Sequence, residues 1–258
     1  MVYLSLFLLA ACADPKKSYV VNTDESQNII GGQDQSLTQK INHSVAAILL
    51  TNSDGNLEIC TGTFISKNML ITAAHCVPKV ASDVTIKIGN SIFDEKKSQT
   101  LNVLKIYKHP DYKKGKNDLA LIHIEEDKNI FILPVELVRS SDQIKNKNLI
   151  LFGFGVDQIA ETEDGLQGAG LLRKLKIQAQ FVSKSDDKIM LNQSQGYGVC
   201  HGDSGGPAFV TVKNKYVLVS IASGVLQQED QLDCTNQAVF TSVAEHLDWI
   251  YSILIQNK

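Results

Sequence analysis

Apolar residues come in short runs along most of this chain, separated by connections that contain Gly, Asn and Asp. Short runs rich in β-branched residues and bounded by turn formers predict strands. The clearest are Val45–Thr51, Met69–Ala73, Val84–Ile88 and Leu119–Ile124. Leu101–Tyr107 and Leu171–Phe181 partly alternate apolar with polar, and Tyr216–Ala222 and Ala238–Thr241 extend the series. Only the end, Val243–Ile255 (VAEHLDWIYSILI), spaces its apolar residues as a helix does. Many short strands and one terminal helix predict an all-β sandwich or barrel. A charged run from Glu125 to Lys128 leads into a seam near residues 127–141.

The N-terminal region follows a different pattern. Val2 to Ala11 is apolar but far shorter than the roughly 20 residues that span a bilayer, and it fits the core of a signal peptide. Leu9-Ala10-Ala11-Cys12 resembles a bacterial lipobox, in which the signal is cut before a cysteine that then receives lipid, although no Lys or Arg precedes the apolar run. Residues 13–28 (ADPKKSYVVNTDESQN) are mostly polar without a sustained apolar period. These features divide the chain into a signal peptide over 1–11, a lipid-anchored tether or pro-segment over 12–28, and a folded domain over 29–258.

Composition changes this picture little. With 258 residues, 43% hydrophobic and 21% charged, the chain has the make-up of an ordinary globular protein with ample core. A net charge of -3 gives no basic footprint, which argues against a nucleic-acid partner. The five cysteines are more informative: Cys12, Cys60, Cys76, Cys200 and Cys234. With Cys12 lipidated, four remain for two disulfides, and three pairings are open. Disulfides persist in oxidising compartments, so the count and the export signal agree.

Candidate chemistry lies in three stretches. Cys200–Pro207 reads CHGDSGGP, with three glycines around Ser204, where backbone freedom lets N–H groups be aimed. LITAAHC ends at Cys76 with His75 just before it, and NDLALI opens with Asp118 beside an apolar run. A buried histidine or aspartate is costly unless paired. A hydroxyl, an imidazole and a carboxylate are the set that nucleophilic hydrolysis requires.

TAAHC, NDLAL and GDSGGP, in that order, strongly resemble the catalytic signatures of the trypsin/chymotrypsin-like serine protease family. The resemblance runs from Ile29 to about Gln256 and includes Ile29-Ile30-Gly31-Gly32, Gly153-Phe154-Gly155 and a C-terminal helix bearing Trp249. It implies two packed six-stranded antiparallel β-barrels, with the active site between them. It implies His75 as general base, Asp118 as its orienting partner, Ser204 as nucleophile, and the N–H groups of Gly202 and Ser204 as the oxyanion hole. It pairs Cys60 with Cys76 and Cys200 with Cys234.

The same resemblance carries an expectation for substrate preference. Gly198, six before Ser204, falls at the base of the primary pocket where trypsin-like members have Asp, which argues against Lys or Arg selection. Ser223 falls where a serine usually bonds the aspartate, Val225 at the pocket wall as in elastase-like members, and Ala238 at the facing wall. Gly224 replaces a usual aromatic. An uncharged, shallow pocket for small side chains follows. Cutting before Ile29 would free an ammonium to pair with Asp203, and Asn28 stands where the family usually has Arg or Lys. The expected molecule is a monomeric serine endopeptidase made as a zymogen. It would need no cofactor or metal and act on proteins or peptides. It would be exported, lipid-anchored or periplasmic, meeting the membrane only through its anchor, and released on activation. The competing expectation is a protease-like binding protein of the cell envelope without catalysis.

Overall fold

The computed structural model describes residues 29–257, except 31, 36–39, 52–54, 79, 141–146, 158–167, 179–180, 184–186, 227–233 and 235. The expected signal peptide, Cys12 and the expected pro-segment therefore lie outside the described residues. After a short strand β1 (Gln33–Asp34), seven strands form one antiparallel sheet. These are β2 (Val45–Thr51), β3 (Leu57–Phe64), β4 (Met69–Thr72), β5 (Val84–Gly89), β6 (Ser98–Leu101), β7 (Val103–Lys108) and β8 (Ala120–Ile124). Their order is β6-β5-β2-β3-β4-β8-β7.

The second sheet has nine strands and takes in β1. The others are β9 (Glu136–Leu137), β10 (Asn148–Gly153), β11 (Arg173–Gln178), β12 (Phe181–Ser183), β13 (Lys188–Asn192), β14 (Pro207–Val212), β15 (Lys215–Leu226) and β16 (Gln237–Ser242). The order is β1-β11-β10-β14-β15-β16-β13-β12, with β9 beside β15 as the parallel exception. A 3-10 turn (Ala244–His246) then leads into helix α1 (Leu247–Gln256). The two sheets curl into half-barrels, giving the chymotrypsin-like all-β fold; the short strands β1, β9 and β12 raise the second sheet above the expected six, and the first holds seven.

Burial explains the elements. β2, with sequence VAAILLT, is buried along most of its length and pairs with β3 on one edge and β5 on the other. β5 alternates buried and partly exposed positions over VTIKIG. β11 alternates too, and its buried face consists of Arg173, Leu175 and Ile177, so a charged side chain occupies a core position. The chain crosses between barrels over residues 133–138. There Leu133 and Val135 donate to His43 and Phe64 of the first barrel, and Val138 donates to Leu218 of the second.

Candidate active site

His75 sits in a one-turn 3-10 helix (Ala74–Cys76) that follows β4, with its side chain 34% exposed at the crevice. Asp118 lies just ahead of β8, in a segment opened by Asn117 at φ 50°. Asn tolerates this left-handed conformation, and here Asp187 accepts the Asn117 N–H at 3.1 Å. β4 and β8 are neighbours in register, with Thr72 opposite Ala120, so both residues emerge at one end of the same strand pair.

The aspartate is 3% exposed, yet its oxygens are well supplied with donors. The His75 N–H donates to Oδ1 at 3.0 Å, while His75 Nδ1 and the Ser223 hydroxyl donate to Oδ2 at 2.7 and 2.6 Å. Burial pushes the Asp118 carboxyl up; the His75 ring bond and charge, the Ser223 bond and the His75 backbone bond more than offset this, so it stays below the ordinary carboxylate range. Ser223 reaches Asp118 because β15 shifts register between Ala222 and Gly224 against β16, leaving Ser223 as the extra residue of a bulge.

Ser204 stands on a turn whose carbonyls are all engaged. Asp203 N–H donates to Cys200 O at 3.1 Å, and Gly206 N–H to Asp203 O at 2.9 Å. From the first barrel, Thr61 N–H donates to Ser204 O at 2.7 Å and the Thr61 hydroxyl to Gly202 O at 3.0 Å. Gly202 and Gly205 take φ of 93° and 79°, and a Cβ on Gly205 would stand 2.0 Å from Thr72 Oγ1. Glycine is required there for both reasons.

Asp203 points inward and is 1% exposed. Its carboxylate accepts from Gly155 N–H and Cys200 N–H, each at 2.9 Å. Burial raises its pKa from 3.8 to about 6, against the lowering effect of those two bonds and of the Arg173 charge. Arg173 is fully buried and donates to Gly155 O at 2.9 Å, to Asp34 at 3.1 Å and to Asp157 at 3.3 Å. Ile29 is also fully buried, and Ile30 pairs with Gly198.

A cavity of about 240 Å3 opens beside Ser204 and His75, lined further by Val199–His201, Ala222–Val225 and Cys234. Both expected disulfides are formed, Cys60–Cys76 and Cys200–Cys234, and the second sits in this wall. Ser223 and Val225 line the cavity; Gly198 and Ala238 do not. Ala238 is paired opposite Val225 on β16 and is fully buried behind it. Gly198 faces the fully buried side chain of Gln193, which takes the space beyond it. A second hollow of about 410 Å3 lies on the other side of Ser204 and is lined by Leu50, Leu57–Cys60, His75, Cys76, Ala169, His201 and Gly202.

Among the described residues, two Cys/His groups come within metal-ligand spacing, Cys60-His75-Cys76 and Cys200-His201-Cys234. Their sulfurs are spent in the disulfides, and the thiolate is the metal ligand, so neither group offers an ion site. Sequence reasoning missed Thr61, Arg173 and Gln193. The one signal was available for Arg173, a charge placed in phase with the apolar face of an alternating strand.

Two half-barrels meeting at a crevice that holds a histidine, a buried carboxylate and a serine form the frame of a serine endopeptidase. The family model described as Trypsin matches residues 29–250, and the chain belongs to that family. It is 28% identical to a chymase of Canis lupus familiaris over 99% of this chain and 98% of that protein. It is 26% identical to duodenase-1 of Bos taurus, over 98% and 97%, and 25% identical to cathepsin G of Mus musculus, over 88% and 85%.

Proposed function

We propose that this endopeptidase cleaves through a Ser204–His75–Asp118 triad and prefers small uncharged side chains before the scissile bond. The observation that carries the reading is the Nδ1–Oδ2 bond of 2.7 Å between His75 and Asp118, on a histidine that shares its cavity with Ser204. With Nδ1–H committed to Asp118, the His75 Nε2 is the free base. As Ser204 Oγ attacks the carbonyl carbon, Nε2 takes the hydroxyl proton and the carbonyl π electrons move onto oxygen. The N–H groups of Gly202 and Ser204 stabilise that oxyanion, each donor of this kind being worth roughly 3–4 kcal/mol. His75 then passes the proton to the leaving amine as the C–N bond breaks, and water releases the acyl group by the reverse sequence.

Among the described lining residues, Val199, Val225 and the Cys200–Cys234 disulfide carry no ionisable group, which supports selection of Ala, Val or Thr. A strong preference for Arg would defeat that part of the reading. Two disulfides fit export to an oxidising compartment. In the same reading the uncut chain is a zymogen anchored through Cys12, and cutting before Ile29 both activates and releases it. N-terminal sequencing of membrane-bound and soluble active protein tests this, and active enzyme still carrying Cys12 would refute it. The catalytic assignment is tested by fluorophosphonate labelling. Wild-type protein takes up one label, while Ser204→Ala takes up none and keeps its melting temperature; labelling elsewhere overturns it.

A further inference from the structure

Gln193 follows β13 in a tight turn, with Gly196 N–H donating to its carbonyl at 2.9 Å and its own N–H donating to Asn236 O at 2.7 Å. Its side chain is fully buried. A buried primary amide is costly unless its groups are bonded, and here both ends are. Val199 N–H donates to Oε1 at 2.7 Å, and Nε2 donates to Val199 O at 3.0 Å and Cys234 O at 2.5 Å. Val199 and Cys234 are lining residues of the cavity beside Ser204. The amide thus spans the two walls from behind and engages a carbonyl on each.

The same side chain explains Gly198. A Cβ on that residue would stand 2.1 Å from Gln193 Cδ and 2.2 Å from Oε1. The volume that a side chain at position 198 would occupy is filled by the glutamine. The cavity in front measures about 240 Å3, below the roughly 300–1,000 Å3 of common small-molecule sites.

We propose that Gln193 is a specificity-determining residue: it is the plug that sets the depth of the primary pocket, and Gly198 is glycine to make room for it. This rests on the reading that the cavity beside Ser204 receives the side chain before the scissile bond. The plug limits side chains by volume, and its bonds to Val199 and Cys234 keep those two carbonyls from serving as acceptors for a substrate. Removing it opens space behind the present floor and frees both carbonyls.

The test compares peptide substrates that differ only in Ala, Val or Phe before the cleaved bond. In Gln193→Ala, kcat/KM for Phe relative to Ala rises at least tenfold over wild type, carried by KM for the Phe substrate. Gln193→Met keeps the bulk without the amide, so its Phe-to-Ala ratio stays within about threefold of wild type while its melting temperature falls. An unchanged ratio in folded, fluorophosphonate-labelled Gln193→Ala overturns the proposal, leaving the amide a purely structural clamp. Should Gln193→Ala not fold, wild type alone decides: turnover of the Phe substrate equal to that of Ala overturns a plugged floor, and turnover at least tenfold lower supports it. Failure of wild type to label at all is a failure of the proposed catalytic reading, a result distinct from any of these.

Discussion

At Asp118 one carboxylate accepts three hydrogen bonds, and the bond from Ser223 is the shortest, at 2.6 Å. Ser223→Ala withdraws that donor from a buried charge, which costs about 1–3 kcal/mol. The cost depends on pH in a definite direction. A carboxyl held below its unfolded pKa contributes stability that is present above the unfolded value and is lost as pH falls through the folded one. Ser223→Ala moves the folded pKa back up toward 3.8, so the variant melts lower than wild type at neutral pH and the two curves converge in acid below both pKa values. Melting temperatures between pH 2 and 7 check this, and a constant offset across the range would show that Ser223 acts through packing instead. The roles proposed for His75, Asp118, Ser204 and Ser223 were legible in the sequence because each lies in a motif whose neighbours are themselves specific. Gln193 was not legible. Its amide meets Val199 and Cys234, as the proposed plug requires, only when β13, the Cys200 segment and Cys234 are brought together, and no local pattern encodes that meeting.

Among the elements, β3 does the least expected work. Its sequence LEICTGTF interrupts the apolar run with two threonines and a glycine, so periodicity passes over it. Its neighbours were plain because their apolar runs are unbroken. One of those threonines serves the other barrel: fully buried Thr61 accepts from Phe154 N–H at 3.2 Å and donates to Gly202 O at 3.0 Å. Thr61→Val keeps the shape but leaves a buried N–H and a buried carbonyl unpaired, for a loss of about 1–3 kcal/mol. Since Gly202 is a proposed oxyanion donor, the variant also loses kcat by about tenfold with little change in KM, as expected for an interaction made in the transition state. A fall in stability with kcat unchanged would separate the strand from the chemistry. The C-terminal helix was legible in its apolar spacing, but its first turn tightens into the 3-10 segment Ala244–His246, where His246 is buried beside Asn117.

For the molecule as a whole, the segment at Ile29 and the turn at Asp203 form one mechanical question. In the uncut chain Ile29 is fully buried at φ 45°, a left-handed conformation that costs a β-branched residue roughly 1–2 kcal/mol. Asp203 is buried with its pKa raised from 3.8 to about 6, so its carboxylate at neutral pH is on the order of 3 kcal/mol worse off in the fold than an exposed one. A group raised in this way favours folding most below its unfolded pKa, and the advantage is lost as pH rises through the folded value. The uncut protein therefore loses stability between about pH 4 and 6. In the proposed activation, cutting before Ile29 would remove the carbonyl that defines its φ and bring an ammonium to the same interior. Paired with that charge, Asp203 has its pKa drawn down, so the cut protein does not share that loss and gains on the uncut one over the same range. The gain disappears again in alkali as the ammonium, whose ordinary pKa is about 8, gives up its proton. Melting curves of cut and uncut Ser204→Ala protein from pH 4 to 10, a background free of self-digestion, would show the two profiles separating between about pH 4 and 6 and converging at high pH. Parallel profiles would mean that Asp203 meets no new charge after cleavage, and the proposed activation by an Ile29 ammonium would fall with them.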